Sequence, residues 1–333
     1  MSLSPKSSKL RKTVLALVGT AALSPLFAQA AETLKIGSSI WAGYGPLYVA
    51  DKLDLYKQYD LKVQLQFFSD PAMTVPAVAS GAIDGATLTY DMVIGSVAKG
   101  QKIKVVMPVD YSAGGDAIVS DVSITSIEQL KGQKVGVAPL SPPEFLLTYA
   151  LQSKGMSQAD IQPVSVNPDS VPGAMAGGLK VGVTWEPNVS RVAAMGGGKR
   201  FHVLYSSKEA PGLITDVLVF DEKVIEKRGK AIESLMRGYL DGLAYMHSHP
   251  TEATAIIAEV LGVSPEEAAE QMAGVYNMTL AEMPKNFEVS DETTSFYGSG
   301  RIVSELMHAA GQINRIPATE ETFDDRFIKA LSN

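Results

Sequence analysis

From Leu34 onward the chain alternates short apolar runs with short helical segments, and this rhythm constrains the fold more than any other feature. Strands are predicted over 34–37, 63–68, 83–88 and 103–109. Helices are predicted over 48–56, 74–80 (closed by Gly81) and 92–98 (ending near Gly100). At Gly114-Gly115-Asp116 the pattern starts again. Strands are expected at 117–119, 134–138, 181–185, 201–205 and 214–220. A capping box, Ser126-Ile127-Glu128-Gln129, opens a short helix, and another helix covers 144–153. Beyond Phe220 the chain reads as helical. Ile225, Ile232, Leu235, Tyr239, Leu243 and Met246 form a buried stripe, and Ser264-Pro265-Glu266-Glu267 starts a later helix that another follows at 302–309. Helices without strands of their own must pack on an earlier sheet. The expected class is α/β, with mostly parallel sheets in two lobes, the chain crossing to the second and returning.

Residues 1–30 read as an export signal. Lys6, Lys9, Arg11 and Lys12 precede an apolar run over 14–27, and Ala28-Gln29-Ala30 is a cleavage site, which predicts a periplasmic protein cut after about Ala30. These thirty residues hold four basic and no acidic groups. The net charge of −7 for the whole chain therefore becomes −11 for the rest. Such acidity argues against nucleic acid and anionic lipid as partners. The chain has no cysteine, so neither a lipid-anchoring cysteine nor a disulfide framework is possible.

Ile40-Trp41-Ala42-Gly43-Tyr44-Gly45-Pro46-Leu47 joins the first strand to the first helix. Pro46 suits the opening turn of that helix and Gly45 the cap before it. In open α/β sheets ligands sit beyond the carboxyl ends of strands, against helix starts, so this loop is expected to be the first wall of a small-molecule cleft. The alternative is an aromatic loop that packs and binds nothing. No metal or cofactor site is expected: His247 and His249 end a long helix, His202 and His308 stand alone, and Gly196-Gly197-Gly198-Lys199 lacks the phosphate-loop spacing.

Several segments resemble the periplasmic solute-binding proteins of ATP-driven (ABC) importers, in the nitrate/sulfonate/taurine/bicarbonate group. They are residues 41–50, Val78-Ala79-Ser80-Gly81-Ala82-Ile83-Asp84-Gly85, residues 127–137 and Val183-Thr184-Trp185-Glu186-Pro187. The resemblance spans the chain after residue 30. It departs at Lys180, where such proteins usually carry an Asp before the apolar run. It implies a Venus-flytrap fold of the second type, with lobe 1 from 31–115 and 217–333 and lobe 2 from 116–216, hinged near 116–119 and 215–217. It also implies a monomer without catalysis or cofactor, partnered by an inner-membrane permease and its ATPase.

The loops then expected to face the cleft are 40–46, 69–71, 89–91, 110–116, 140–144 and 184–187. They offer the aromatic residues Trp41, Tyr44, Tyr90, Tyr111 and Trp185. Their carboxylates are Asp70, Asp91, Asp110, Asp116, Glu144 and Glu186, and their hydroxyls include Ser69, Thr89 and Ser141. Asp216 joins them from the second crossing. None of these loops holds Lys, Arg or His. Aromatic faces with carboxylates suit a cation or zwitterion, so a nitrogenous ligand is expected, with a sulfonate, taurine or another small anion as the alternative. Asp70 and Asp91 could instead cap helices, and Asp116 and Glu186 could brace the hinge and its loop. Two other classes compete, an enzyme resembling thiamine-pyrimidine synthases and a ligand-sensing domain. The former relies on a cysteine-rich motif that this chain lacks.

Overall fold

The computed structural model describes residues 1–4, 31–69, 71–139 and 141–332. The predicted signal region (but for its first four residues) and Asp70 lie outside the described residues. In chain order the strands are β1 (Glu32–Ser38), β2 (Leu61–Phe67), β3 (Gly85–Thr89), β4 (Ile103–Ser112), β5 (Asp116–Asp121), β6 (Lys134–Val137), β7 (Gln162–Ser165), β8 (Val181–Trp185), β9 (Phe201–Ser206), β10 (Thr215–Asp221) and β11 (Val275–Asn277). They form two sheets, ordered β11-β4-β10-β3-β1-β2 and β7-β6-β8-β5-β9.

Both sheets are mixed. The βα units give the parallel pairs β1–β2, β1–β3, β6–β7 and β6–β8. The strands that carry the chain between the sheets run against their neighbours: β5 is antiparallel to β8 and β9, and β10 to β3 and β4. The expected parallel pairing thus holds within the βα series and reverses at the crossings. A chain that leaves one sheet and re-enters it must come back in the opposite sense.

Each sheet lies between two apolar layers. Along β10, Leu218 and Phe220 face one layer and Val217 and Val219 the other, all with no exposed surface. That is the two-sided burial expected of an interior strand. The predicted helical stripe lies on the helix Glu222–Ser248 and is buried throughout. Asp221 opens this helix, its carboxylate accepting from Lys223 N–H at 2.9 Å. The helix packs on Gly45–Lys52, which carries Pro46 in its first turn. A side chain at Gly242 would collide with the Pro46 carbonyl, so glycine permits this close approach.

The crossing is tied together locally. Gly114, at φ 124°, donates its N–H to Ser207 Oγ (2.7 Å), and Ser112 Oγ lies 2.8 Å from the same hydroxyl. Ala113 and Gly115 both donate to the Gly274 carbonyl, at 2.8 and 2.9 Å. These bonds fix where β5 starts, and β5 starts with Asp116.

Candidate functional site

A cavity of about 610 Å³ opens where the carboxyl ends of β1, β2, β3 and β8 meet the starts of β5 and β10. Small-molecule sites commonly have this size and this place in α/β sheets. Its apolar wall includes Ile40, Trp41, Phe68, Leu88, Met92, Trp185 and Ile214. Its charged wall is Asp116, Asp169, Glu186, Arg191 and Asp216.

The deep end is built around three buried carboxyl groups. Asp110 and Asp216 are paired across β4 and β10. Trp41 Nε1–H donates to Asp110 Oδ1 at 3.2 Å, and the Tyr44 hydroxyl donates to Asp216 Oδ1. Asp116 opens β5 opposite Trp185, and its N–H donates to Ser112 Oγ at 3.0 Å. A Cβ at Gly43 would strike the Asp110 carboxylate, and one at Gly115 would sit 2.7 Å from the Trp41 ring. Glycine at both positions lets the indole lie against the β4–β5 turn and reach Asp110. Burial pushes Asp110 up to about 7, opposed by the Trp41 donor, and pushes Asp116 up to about 7, opposed by Ser112. Burial and then repulsion from Asp110 hold Asp216 well above the ordinary carboxylate range. The groups that shift these three are carboxyls, hydroxyls and the indole, with no cation among them.

The β8 side differs. Glu186 accepts from Ser190 N–H (3.1 Å) and from Ser190 Oγ–H (2.8 Å), so it braces the start of the helix Asn188–Ala193 while lining the cavity. Arg191 Nη1 donates to Asn188 Oδ1 (3.2 Å), and Asn188 Nδ2 donates to Asp169 Oδ1 (3.0 Å). The cavity wall therefore holds a guanidinium, which corrects the expectation of a cleft without basic side chains. The loop read from the sequence stops at Pro187, and Arg191 stands one helical turn further on.

The structure brings Trp41, Tyr44, Ser69, Thr89, Asp116, Trp185, Glu186 and Asp216 onto the cavity wall. It places five other candidates off it. Tyr90 turns into an apolar layer, its hydroxyl 2.8 Å from Thr322 Oγ1 and its ring 4.5 Å from Phe296. Asp91 is buried in the first turn of the helix Tyr90–Ala98, where burial pushes it up to about 6. Tyr111 belongs to β4 and stacks on Tyr276 of β11 at 5.0 Å, because β4 runs on to Ser112 through residues that read as a loop. Ser141 donates to the Ala138 carbonyl (2.6 Å). Glu144 accepts from Gln158 (3.2 Å) and Gln312 (3.1 Å). Among the described residues no cluster of His, Cys, Asp and Glu suits a metal, and no helix is long and apolar enough to cross a membrane.

The family described as NMT1/THI5 like matches residues 41–253, a segment that carries the Trp41 loop, both crossings and the Trp185 strand. The chain belongs to the NMT1/THI5-like family. Among its relatives is a protein of Brucella abortus named "Putative binding protein", 20% identical over 71% of this chain and 74% of the other. Among solved structures, the periplasmic aliphatic sulphonate binding protein SsuA from Escherichia coli superposes with a TM-score of 0.73 at 20% identity. That match covers 88% of this chain and 92% of SsuA. The periplasmic nitrate-binding protein NrtA from Synechocystis gives 0.69 at 14% identity, covering 90% and 88%. The fold of this NMT1/THI5-like chain is thus the periplasmic-binding-protein fold, as its sequence segments imply.

Proposed function

We propose that this NMT1/THI5-like protein is the periplasmic solute-binding component of an ABC importer, and that it captures a small organic solute bearing a protonated nitrogen. Residues 31–115 with 217–333 act as one lobe and 116–216 as the other, and the loaded form is handed to a membrane permease. One observation carries the ligand reading. Asp116 and Asp216 stand on the cavity wall, 3% and 4% exposed, without a cationic partner among the described residues. Burying carboxylates without a counter-charge is costly, and a ligand cation supplies the missing charge. The apolar wall from Trp41 to Trp185 suits a flat or aliphatic body behind that cation.

One observation favours a second reading. Arg191 on the β8 side offers a guanidinium to an anion, and the solved relatives named above bind sulphonate and nitrate. The two readings differ in sign with pH. A cation favours the ionised carboxyls, so its affinity rises as pH increases from 5 to 8, by up to about tenfold per pH unit for each linked proton. An anion is repelled by those same ionised groups and binds more tightly at pH 5. Mass spectrometry of solute released from the protein purified after export, followed by calorimetric titration across this range, tests the proposal. A solute that binds more tightly at pH 8 supports the cation, and one that binds more tightly at pH 5 assigns the cavity to an anion.

A further inference from the structure

Asp110 does not line the cavity. It stands behind Asp216, in register with it on the neighbouring strand, and has no exposed surface. Its Oδ1 takes the Trp41 indole N–H, whereas its Oδ2 is buried with no hydrogen-bond partner among the described residues. Asp216 Oδ1 takes the Tyr44 hydroxyl. The two residues are directly paired on adjacent antiparallel strands, so their side chains leave the same face of the sheet as neighbours. Two carboxylate oxygens are both acceptors, so they satisfy each other only when a proton lies between them. The groups facing the pair from the packed elements are Trp41, Tyr44 and Tyr48 from the first loop and helix, Asp116 from β5 and Tyr239 from the helix Glu222–Ser248. None is a cation, and both outer Oδ1 positions already have donors. The position between the carboxyls is what remains for a proton.

We propose that Asp110 and Asp216 hold one proton between them in the ligand-free protein at neutral pH, with Asp110 the positioning residue that sets how much negative charge Asp216 turns toward the cavity. The deep end then presents one fewer charge than its three carboxyls could carry, and a solute needs correspondingly less positive charge to match it. The raised proton affinity of both groups agrees with this arrangement. The inference rests on the cavity being the binding site, but its test needs no ligand, so it can fail while the proposed function stands.

The test is a pH titration, from 4 to 9, of the full chain labelled with ¹³C at the aspartate carboxyl carbon. Asp110→Asn and Asp216→Asn assign the two signals. In the wild type the two carbons are expected to titrate together in two steps, with one proton retained through pH 7. In Asp110→Asn a fixed amide N–H replaces the shared proton, so the upper step disappears and Asp216 titrates once, at lower pH. Trp41→Phe removes the donor that favours ionised Asp110, and the upper step should move up by roughly one pH unit. An Asp110 that shares no proton with Asp216 predicts movement of the Asp110 signal alone, with the Asp216 signal left where it was. If Asp110→Asn does not fold, the wild-type and Trp41→Phe curves decide alone. Two independent transitions complete below pH 5, or an upper step unmoved in Trp41→Phe, overturns the proposal.

Discussion

Asp116 and Arg191 both line the cavity, and the sequence exposes only the first of them. Asp116 follows a glycine pair at a point where the strand pattern restarts, which marks it as a crossing residue. Arg191 lies in the first helical turns after Pro187, where a basic residue on a short helix carries no distinguishing signal. Asp116→Asn is expected to weaken binding of a protonated-amine solute by about 2–5 kcal/mol, the range for removing one member of a buried charge pair. Calorimetry with the recovered solute checks this, and Arg191→Gln in the same assay reports any anionic group on it. Trp41→Ala is expected to weaken binding by at least about 1 kcal/mol, since Trp41 both lines the cavity and holds Asp110. The buried carboxyls also set a pH dependence of stability. Asp91, at about 6, and Asp110 and Asp116, at about 7, bind protons more tightly in the folded chain than in the unfolded one. Their stabilisation is complete below about pH 4 and is lost as pH rises through about 6 to 7. Carboxylates with lowered values, such as Glu282 and Glu321, are ionised in both states above pH 5 and leave this window unchanged. Urea midpoints should therefore be higher at pH 5 than at pH 8, and the reverse order contradicts the burial described above.

Strand β10 is the element that holds the return crossing to the first sheet. Its four central side chains divide between two apolar layers, so Leu218→Ala should cost about 2–5 kcal/mol in urea unfolding. A loss under about 1 kcal/mol would show that these layers repack around the gap. This strand was legible from the short, β-branched apolar run Val217-Leu218-Val219-Phe220. The capping boxes at Ser126 and Ser264 were legible for a similar reason: the spacing is the mechanism, and Ser264 exchanges both bonds with Glu267 while Ser126 N–H donates to Gln129 Oε1 at 3.3 Å. Other elements depend on partners far away in the chain. Asp110-Tyr111-Ser112 reads as a turn, yet it extends β4 because β10 and β11 pair with it. Gln162–Ser165 forms an edge strand with all four residues exposed, so no apolar alternation announces it. Tyr90 and Tyr111 share the composition of a binding aromatic, and only packing against Phe296 and Tyr276 separates them from Trp41.

At the scale of the whole molecule the proposal makes ligand capture a closure of two lobes around the β4–β5 and β9–β10 crossings. Small-angle scattering should show a smaller radius of gyration with saturating solute than without it, and an unchanged radius would contradict closure. The central claim is that buried carboxyls in the cavity recognise a cation. The most direct test is calorimetric titration of the recovered solute into the wild type and Asp116→Asn at pH 5 and pH 8. Tighter wild-type binding is expected at pH 8, with most of that gain lost in Asp116→Asn. A plain anion that binds more tightly at pH 5, and binds Asp116→Asn at least as well as wild type, would contradict it.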